Sequence, residues 1–192
     1  MNKPKIAVTA LGHYIYFDQF DGLHEELSKK ADEFMAMFDR KLCDIWYTGY
    51  VDTVEGAFIA VRELEKQNAD FLFVILTTYV PSSVAAPFAY YADIPQALVG
   101  IQPLDCLDYK NATTYMQFVN DDICAMPEVA GVYERLGRKI PPCIVASSSQ
   151  KDYLQKEISG WQHAIAAKAA FKYANIGYLG HTYYPSCCTR YR

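Results

Sequence analysis

Hydrophobic positions along this chain switch repeatedly between short continuous runs and stripes spaced by three and four. "KIAVTALG" (5–12) is a compact apolar run closed by a glycine and predicts a strand. Leu23, Leu27, Ala31, Phe34, Phe38 and Leu42 then recur at spacings of three and four and predict one buried helix face. "CDIWYTGY" (43–50) predicts the second strand. "DTVEGAFIAVRELEKQ" (52–67) predicts the second helix, headed by an Asp or Thr cap with Glu55 close behind. "ADFLFVILTTY" (69–79) is continuously apolar, as expected for a central strand covered on both faces. "VPSSVAAPFAYYAD" (80–93) predicts a helix with Pro81 in its first turn and Pro87 inside, where a bend is expected. "PQALVGIQP" (95–103) is the fourth strand, and "LDCLDYKNATTYM" after it reads as irregular. "NDDICAMPEVAGVYERLGRK" (120–139) reads as one helix with an internal proline at 127. "PPCIVASSS" (141–149) is the fifth strand, 151–174 a long helix carrying Leu154, Ile158, Trp161 and Ile165, and "NIGYLG" (175–180) the sixth strand.

Apolar strands separated by helices imply an α/β three-layer α/β/α sandwich with an open parallel sheet, flavodoxin- or Rossmann-like. One domain is expected over 1–180. The composition shift at "SCCTRYR" marks 181–192 as a truncated linker or disordered tail.

Composition narrows the function. No apolar run approaches the roughly 20 residues of a membrane span, and "MNKPKIAVTALG" lacks a cleavage site, so a soluble cytoplasmic protein is expected, with no membrane partner. A formal net charge of -4 with scattered lysines and arginines gives no footprint for nucleic acid. The cysteines at 43, 106, 124, 143, 187 and 188 lack the spacing of a disulfide framework or a zinc site. Sixteen tyrosines, each an apolar body with a polar tip, favour subunit contacts or sugar-facing surfaces.

In an open parallel sheet the ligand site lies beyond the C-terminal strand ends. The loops there, "LGHYIYFDQF", "TGYVD", "TTYVPSS", "IQPLD" and "SSSQKD", carry Tyr, Thr, Ser, Gln and His, groups that hydrogen-bond hydroxyls without imposing charge. Neither a dinucleotide fingerprint nor a P-loop is present. "TTYVPSS" offers hydroxyls to a flavin phosphate as a minor alternative. His24 and His163 fall on helices, His13 and His181 follow strands, and no set of convergent metal ligands can be assembled.

The order of these segments resembles the N-terminal domain of the L-arabinose isomerase and L-fucose isomerase group. The resemblance is carried by "FLFVILTTYVPSSVAAPFAYYADIPQALVGIQPL", by the later run from "VNDDICAMPEVAGVYERLGRKIPPCIVASSS" to "WQHAIAAKAAFKYANIGYLG", and by "IAVTALGHYIY", over nearly all of 5–185. Members of the group are multidomain, oligomeric, manganese-dependent aldose–ketose isomerases whose metal ligands and acid–base glutamates belong to later domains. The resemblance therefore implies a homo-oligomer and a sugar substrate. It implies that manganese belongs to a full-length parent, and that this chain alone binds no cofactor and is inactive. It also implies that strand-end loops contact a neighbour's substrate, through Gly12, His13, Tyr14, Thr77, Thr78 and Tyr79, with Gln102 and Asp121. Gly12 stands where a Gln is expected and Thr77 where the arabinose enzymes have a His. Asp121 and Cys124 replace a Gln and a His, so a substrate other than arabinose is compatible. In the group the sixth strand leads into a second domain, so truncation after about Pro185 is expected. The alternative reading is a stand-alone sugar-binding or regulatory α/β module.

Overall fold

The computed structural model describes residues 3–172 together with 174, 175 and 177. Five parallel strands, β1 (Lys5–Leu11), β2 (Asp44–Val51), β3 (Phe71–Leu76), β4 (Gln96–Gln102) and β5 (Cys143–Ser147), form one sheet in the order β2-β1-β3-β4-β5. Helices α2 (Val54–Gln67), α3 (Ser82–Tyr91) and α5 (Met126–Arg135) pack on one face against Ala7, Leu11, Leu72, Val74, Leu76 and Leu98. Helices α1 (Leu23–Ala36) and α6 (Lys151–Lys172) cover the other face over Ile6, Val8, Phe73, Ile75, Val99 and Ile144. This is the expected three-layer α/β sandwich, with the strand order of flavodoxin-like folds. Every residue of β3 is buried, which explains its unbroken apolar run.

Boundaries moved where local chemistry overrode the apolar pattern. Helix α1 ends at Ala36, and Phe38 reaches the same core from the following turn. Thr53 caps α2 by accepting the Gly56 N–H at 3.1 Å. Pro87 is buried inside α3; the carbonyl it deprives of a partner belongs to Ser83, which is exposed. The helix expected over 120–139 is shorter: α5 begins only at Met126, with Pro127 in its first turn. A separate short helix, α4 (Thr114–Val119), capped by Thr113, begins within the stretch expected to be irregular. Of the sixth strand expected over 175–180, Asn175 and Gly177 are described and neither is in a strand; its other residues and 181–192, with His181, Cys187 and Cys188, lie outside the described residues. Among the described residues no helix is long and apolar enough to cross a membrane.

Candidate functional site

Strand order reverses between β1 and β3: the chain leaves β1 toward β2 and returns past it to β3. In open parallel sheets the loops that follow such a pair of strands part at their C-terminal ends, and the crevice between them is where ligands bind. Leu11 pairs with Leu76, so Gly12–His13 and Thr77–Thr78 leave the sheet side by side.

Two of these four residues hold the floor. Thr77 donates its N–H to the Leu11 carbonyl at 3.1 Å, its hydroxyl bonds the same carbonyl at 2.8 Å, and Tyr50 Oη lies 2.7 Å from that hydroxyl. Burial pushes the Tyr50 phenol far above its ordinary pKa, so it keeps its proton. Gly12 donates its N–H to Val51 O at 3.0 Å, and a Cβ on Gly12 would lie 2.0 Å from Tyr50 Oη. Glycine is needed here because the Tyr50 ring occupies the space a side chain would fill.

The other two keep polar atoms unspent. Thr78 is fully buried, and its Oγ1, like Nδ1 of His13, has no hydrogen-bond partner among the described residues. The remaining two atoms of this kind, Thr9 Oγ1 and Tyr47 Oη, lie within β1 and β2. Burial holds the His13 pKa below its ordinary value against the opposing pull of Asp52, so the imidazole is neutral. Its ring meets Tyr14 and Tyr16 edge-on, with centroids 5.4 and 5.1 Å away, and Tyr16 stacks on Phe118 at 4.0 Å. Tyr14 itself is half exposed.

The outer wall comes from the α4–α5 connection and α5. Glu128 accepts the Ser82 N–H at the head of α3 and the Tyr79 hydroxyl, each at 3.0 Å, which fixes the Tyr79 ring. The Ser82 hydrogen bond, with a smaller share from Tyr79, holds the Glu128 carboxyl below its usual range. Burial, Asp121 and Cys124 together raise the Tyr16 pKa, and burial and Asp121 raise that of Cys124, so phenol and thiol are both protonated. Gln102 lies to one side, donating to Asn120 O at 2.8 Å, and with Asp121 it lines a separate polar cleft of about 720 Å³ with Thr113 and Gln117. The structure thus brings Gly12, His13, Tyr14, Thr77, Thr78 and Tyr79 together and sets Gln102 apart.

Sequence reasoning passed over Tyr16, Tyr50, Glu128 and a buried ion pair under the crevice, Lys30–Asp122. Lys30 did leave a signal: it stands three residues after Leu27 and four before Phe34, on the apolar stripe of α1.

Folds of this strand order place a flavin at the same switch point. The residues of the loop after β1 do not fit its phosphate. The Gly12 amide is spent on Val51, the Tyr16 and Phe17 amides close a 3₁₀ turn on His13 O and Tyr14 O, and residues 12–17 contain no Ser or Thr. Asp52, Asp121 and Glu128 also surround the crevice with negative charge. Among the described residues, no three His, Cys, Asp or Glu side chains come together as metal ligands.

No family model and no curated protein matches the chain. Among solved structures it is similar to general stress protein 14 from Treponema denticola in complex with FMN, at 9% identity over 84% of this chain and 99% of that one, with a TM-score of 0.40. It is similar to a PilB minor pilin variant from Streptococcus sanguinis, at 8% identity over 90% of this chain and 64% of that one, with a TM-score of 0.48. An FMN-dependent NADH-azoreductase from Bacillus anthracis in complex with FMN gives 7% identity, 86% and 99% coverage and a TM-score of 0.32. Likenesses this distant say nothing about a ligand of this chain.

Proposed function

We propose that the chain is the substrate-contacting, oligomerising N-terminal domain of a cytoplasmic, metal-dependent aldose–ketose isomerase of the L-arabinose/L-fucose type. One observation carries this reading: Thr78 Oγ1 and His13 Nδ1, buried and without partners, flank the switch point of a parallel sheet. A neutral imidazole and a hydroxyl each match a sugar hydroxyl, which donates and accepts at once. The surrounding Asp52, Asp121 and Glu128 disfavour an anionic ligand and leave a neutral polyol as the fitting class. On the family resemblance, manganese and the acid–base carboxylates of the isomerisation are assigned to later domains of a full-length parent. The role of these residues is to hold the sugar: His13 and Thr78 take hydroxyls, the Tyr16 and Tyr79 rings border them, and Tyr50 and Thr77 fix the floor. An exposed aromatic patch on α2 and α3, formed by Phe58, Tyr90 and Tyr91, supports association between subunits.

Thr78→Val tests the reading by separating function from folding. Valine keeps the shape and removes a buried hydroxyl that has no partner, a group whose burial costs about 1–3 kcal/mol. The variant is therefore expected to be as stable as the wild type or up to about 1 kcal/mol more stable in urea denaturation. Its affinity for L-arabinose or L-fucose should fall several-fold, as expected for losing one hydrogen bond of about 0.5–1.5 kcal/mol. Unchanged affinity for both sugars, or a clear loss of stability, would show that the hydroxyl does not serve a ligand.

A further inference from the structure

Directly beneath the crevice, Lys30 of α1 joins three parts of the molecule through one ammonium group. Its Nζ lies 2.7 Å from Thr77 O, 2.6 Å from Val119 O and 2.7 Å from each carboxylate oxygen of Asp122. Both side chains are nearly out of solvent, at 11% exposure for Lys30 and 1% for Asp122. Thr77 begins the β3–α3 loop that presents Thr78 and Tyr79. Val119 ends α4, and Asp122 sits in the α4–α5 connection between Asp121 and Cys124. The two walls of the crevice are therefore tied to one another through a single side chain of a third element.

We propose that the Lys30–Asp122 pair is a pH-sensitive latch that holds the β3–α3 loop and the α4–α5 connection at the separation the sugar site requires, a regulation that rests on the sugar-contacting reading of that site.

Three acceptor groups face the three ammonium hydrogens of Lys30. A neutral amine would turn a lone pair toward one of them, so Lys30 keeps its proton although burial lowers its pKa. Asp122 carries the titration. Burial pushes its carboxyl up to about 7, against the pull of Lys30. The other ionisable groups facing the pair are Glu26 and Glu33 on α1, Asp121 beside Asp122, and Tyr50 from β2. Glu26 and Glu33 favour the charged lysine, and Asp121 further disfavours the Asp122 carboxylate. Protonation of Asp122 removes its charge and turns one of its two oxygens into a hydroxyl, a much weaker acceptor for an ammonium. The two-oxygen clamp then loosens, and α1 is held chiefly through Val119 O and the remaining carboxyl oxygen. Linkage runs both ways: a ligand that needs the closed latch releases a proton from Asp122 as it binds.

The test has two arms, both on the 192-residue chain. The first needs no ligand. In an isotope-labelled sample, the NMR signals of Thr78, Tyr79, Ile123 and Cys124 are expected to move together with the Asp122 carboxyl around neutral pH, and this shared titration should vanish in Asp122→Asn. The second follows L-arabinose by calorimetry from about pH 8 to about pH 5.5. Affinity is expected to drop several-fold on acidification and to be pH-independent in Asp122→Asn, with wild-type binding releasing protons in buffers of different ionisation enthalpy. If Asp122→Asn does not fold, the Lys30→Met/Asp122→Leu pair replaces it. A shared titration without L-arabinose binding keeps the latch and removes the ligand reading. Loop signals that ignore the Asp122 titration overturn the latch, whatever the sugar does.

Discussion

Lys30→Ala is expected to cost the fold about 3–5 kcal/mol near pH 8, the largest effect of any single polar substitution considered. The alanine leaves the Asp122 carboxylate buried without its counter-charge and strips Thr77 O and Val119 O of their donor. Much of the penalty is the stranded charge, so it should shrink toward pH 5, where Asp122 takes up a proton. Lys30→Met combined with Asp122→Leu removes both charges and should recover most of the loss, because replacing a buried pair by apolar side chains is often neutral. In the wild type the sign is fixed by the raised carboxyl. Its stabilising contribution is complete below the ordinary carboxylate pKa near 3.8 and is lost as the pH rises through about 7. Wild-type stability should therefore decline relative to Asp122→Asn over that window. Urea denaturation of the four proteins across pH measures all of this. A Lys30→Ala penalty below about 1 kcal/mol at pH 8 would place the pair in solvent rather than in the core.

Gly12→Ala is expected to destabilise the chain by about 1–3 kcal/mol through overpacking. The added Cβ would meet Tyr50 Oη at 2.0 Å, Cζ at 2.6 Å and Cε1 at 2.7 Å. The ring is not free to retreat: its hydroxyl is held by Thr77, and it packs edge-on against His24 and Phe17 with centroids 4.9 and 5.8 Å away. Tyr50→Phe removes only the nearest of the three contacts and should not rescue Gly12→Ala. Tyr50→Ala opens the space, so its cost and that of Gly12→Ala should be strongly non-additive in a double-mutant cycle. Additive costs would mean that the two residues do not share the site floor.

The layers of this fold were legible because the inner strands β1, β3 and β4 are covered on both faces or nearly so, and an apolar run such as Phe71–Leu76 permits little else, whereas the edge strands β2 and β5 leave residues such as Val145 exposed. Helix α4 was hidden because it is one short turn-rich element whose start depends on the Thr113 side chain rather than on an apolar stripe. Pro127 reads as an interruption of a longer helix, but it stands in the first turn of α5, where its missing N–H costs no helical hydrogen bond. His13 and Thr78 both lie in strand-end loops, where the sequence places candidate ligand contacts. Sequence alone does not distinguish Thr77, whose hydroxyl is consumed by Leu11 O and Tyr50, from Thr78, whose hydroxyl is not. That difference depends on which face of the sheet's end each side chain meets. Lys30 was readable in principle, since a lysine on the buried stripe of a helix demands a partner; the identity of Asp122, 92 residues away, depends on the tertiary fold.

The most direct test of the central claim is an NMR titration of the labelled chain with L-arabinose, alongside inorganic phosphate as an anionic control. The account predicts saturable shifts confined to His13, Tyr16, Thr78 and Tyr79 with the sugar, and none there with phosphate. Shifts of those residues with phosphate in place of the sugar, or sugar-induced shifts confined to the opposite end of the sheet, would contradict a neutral sugar site at the switch point.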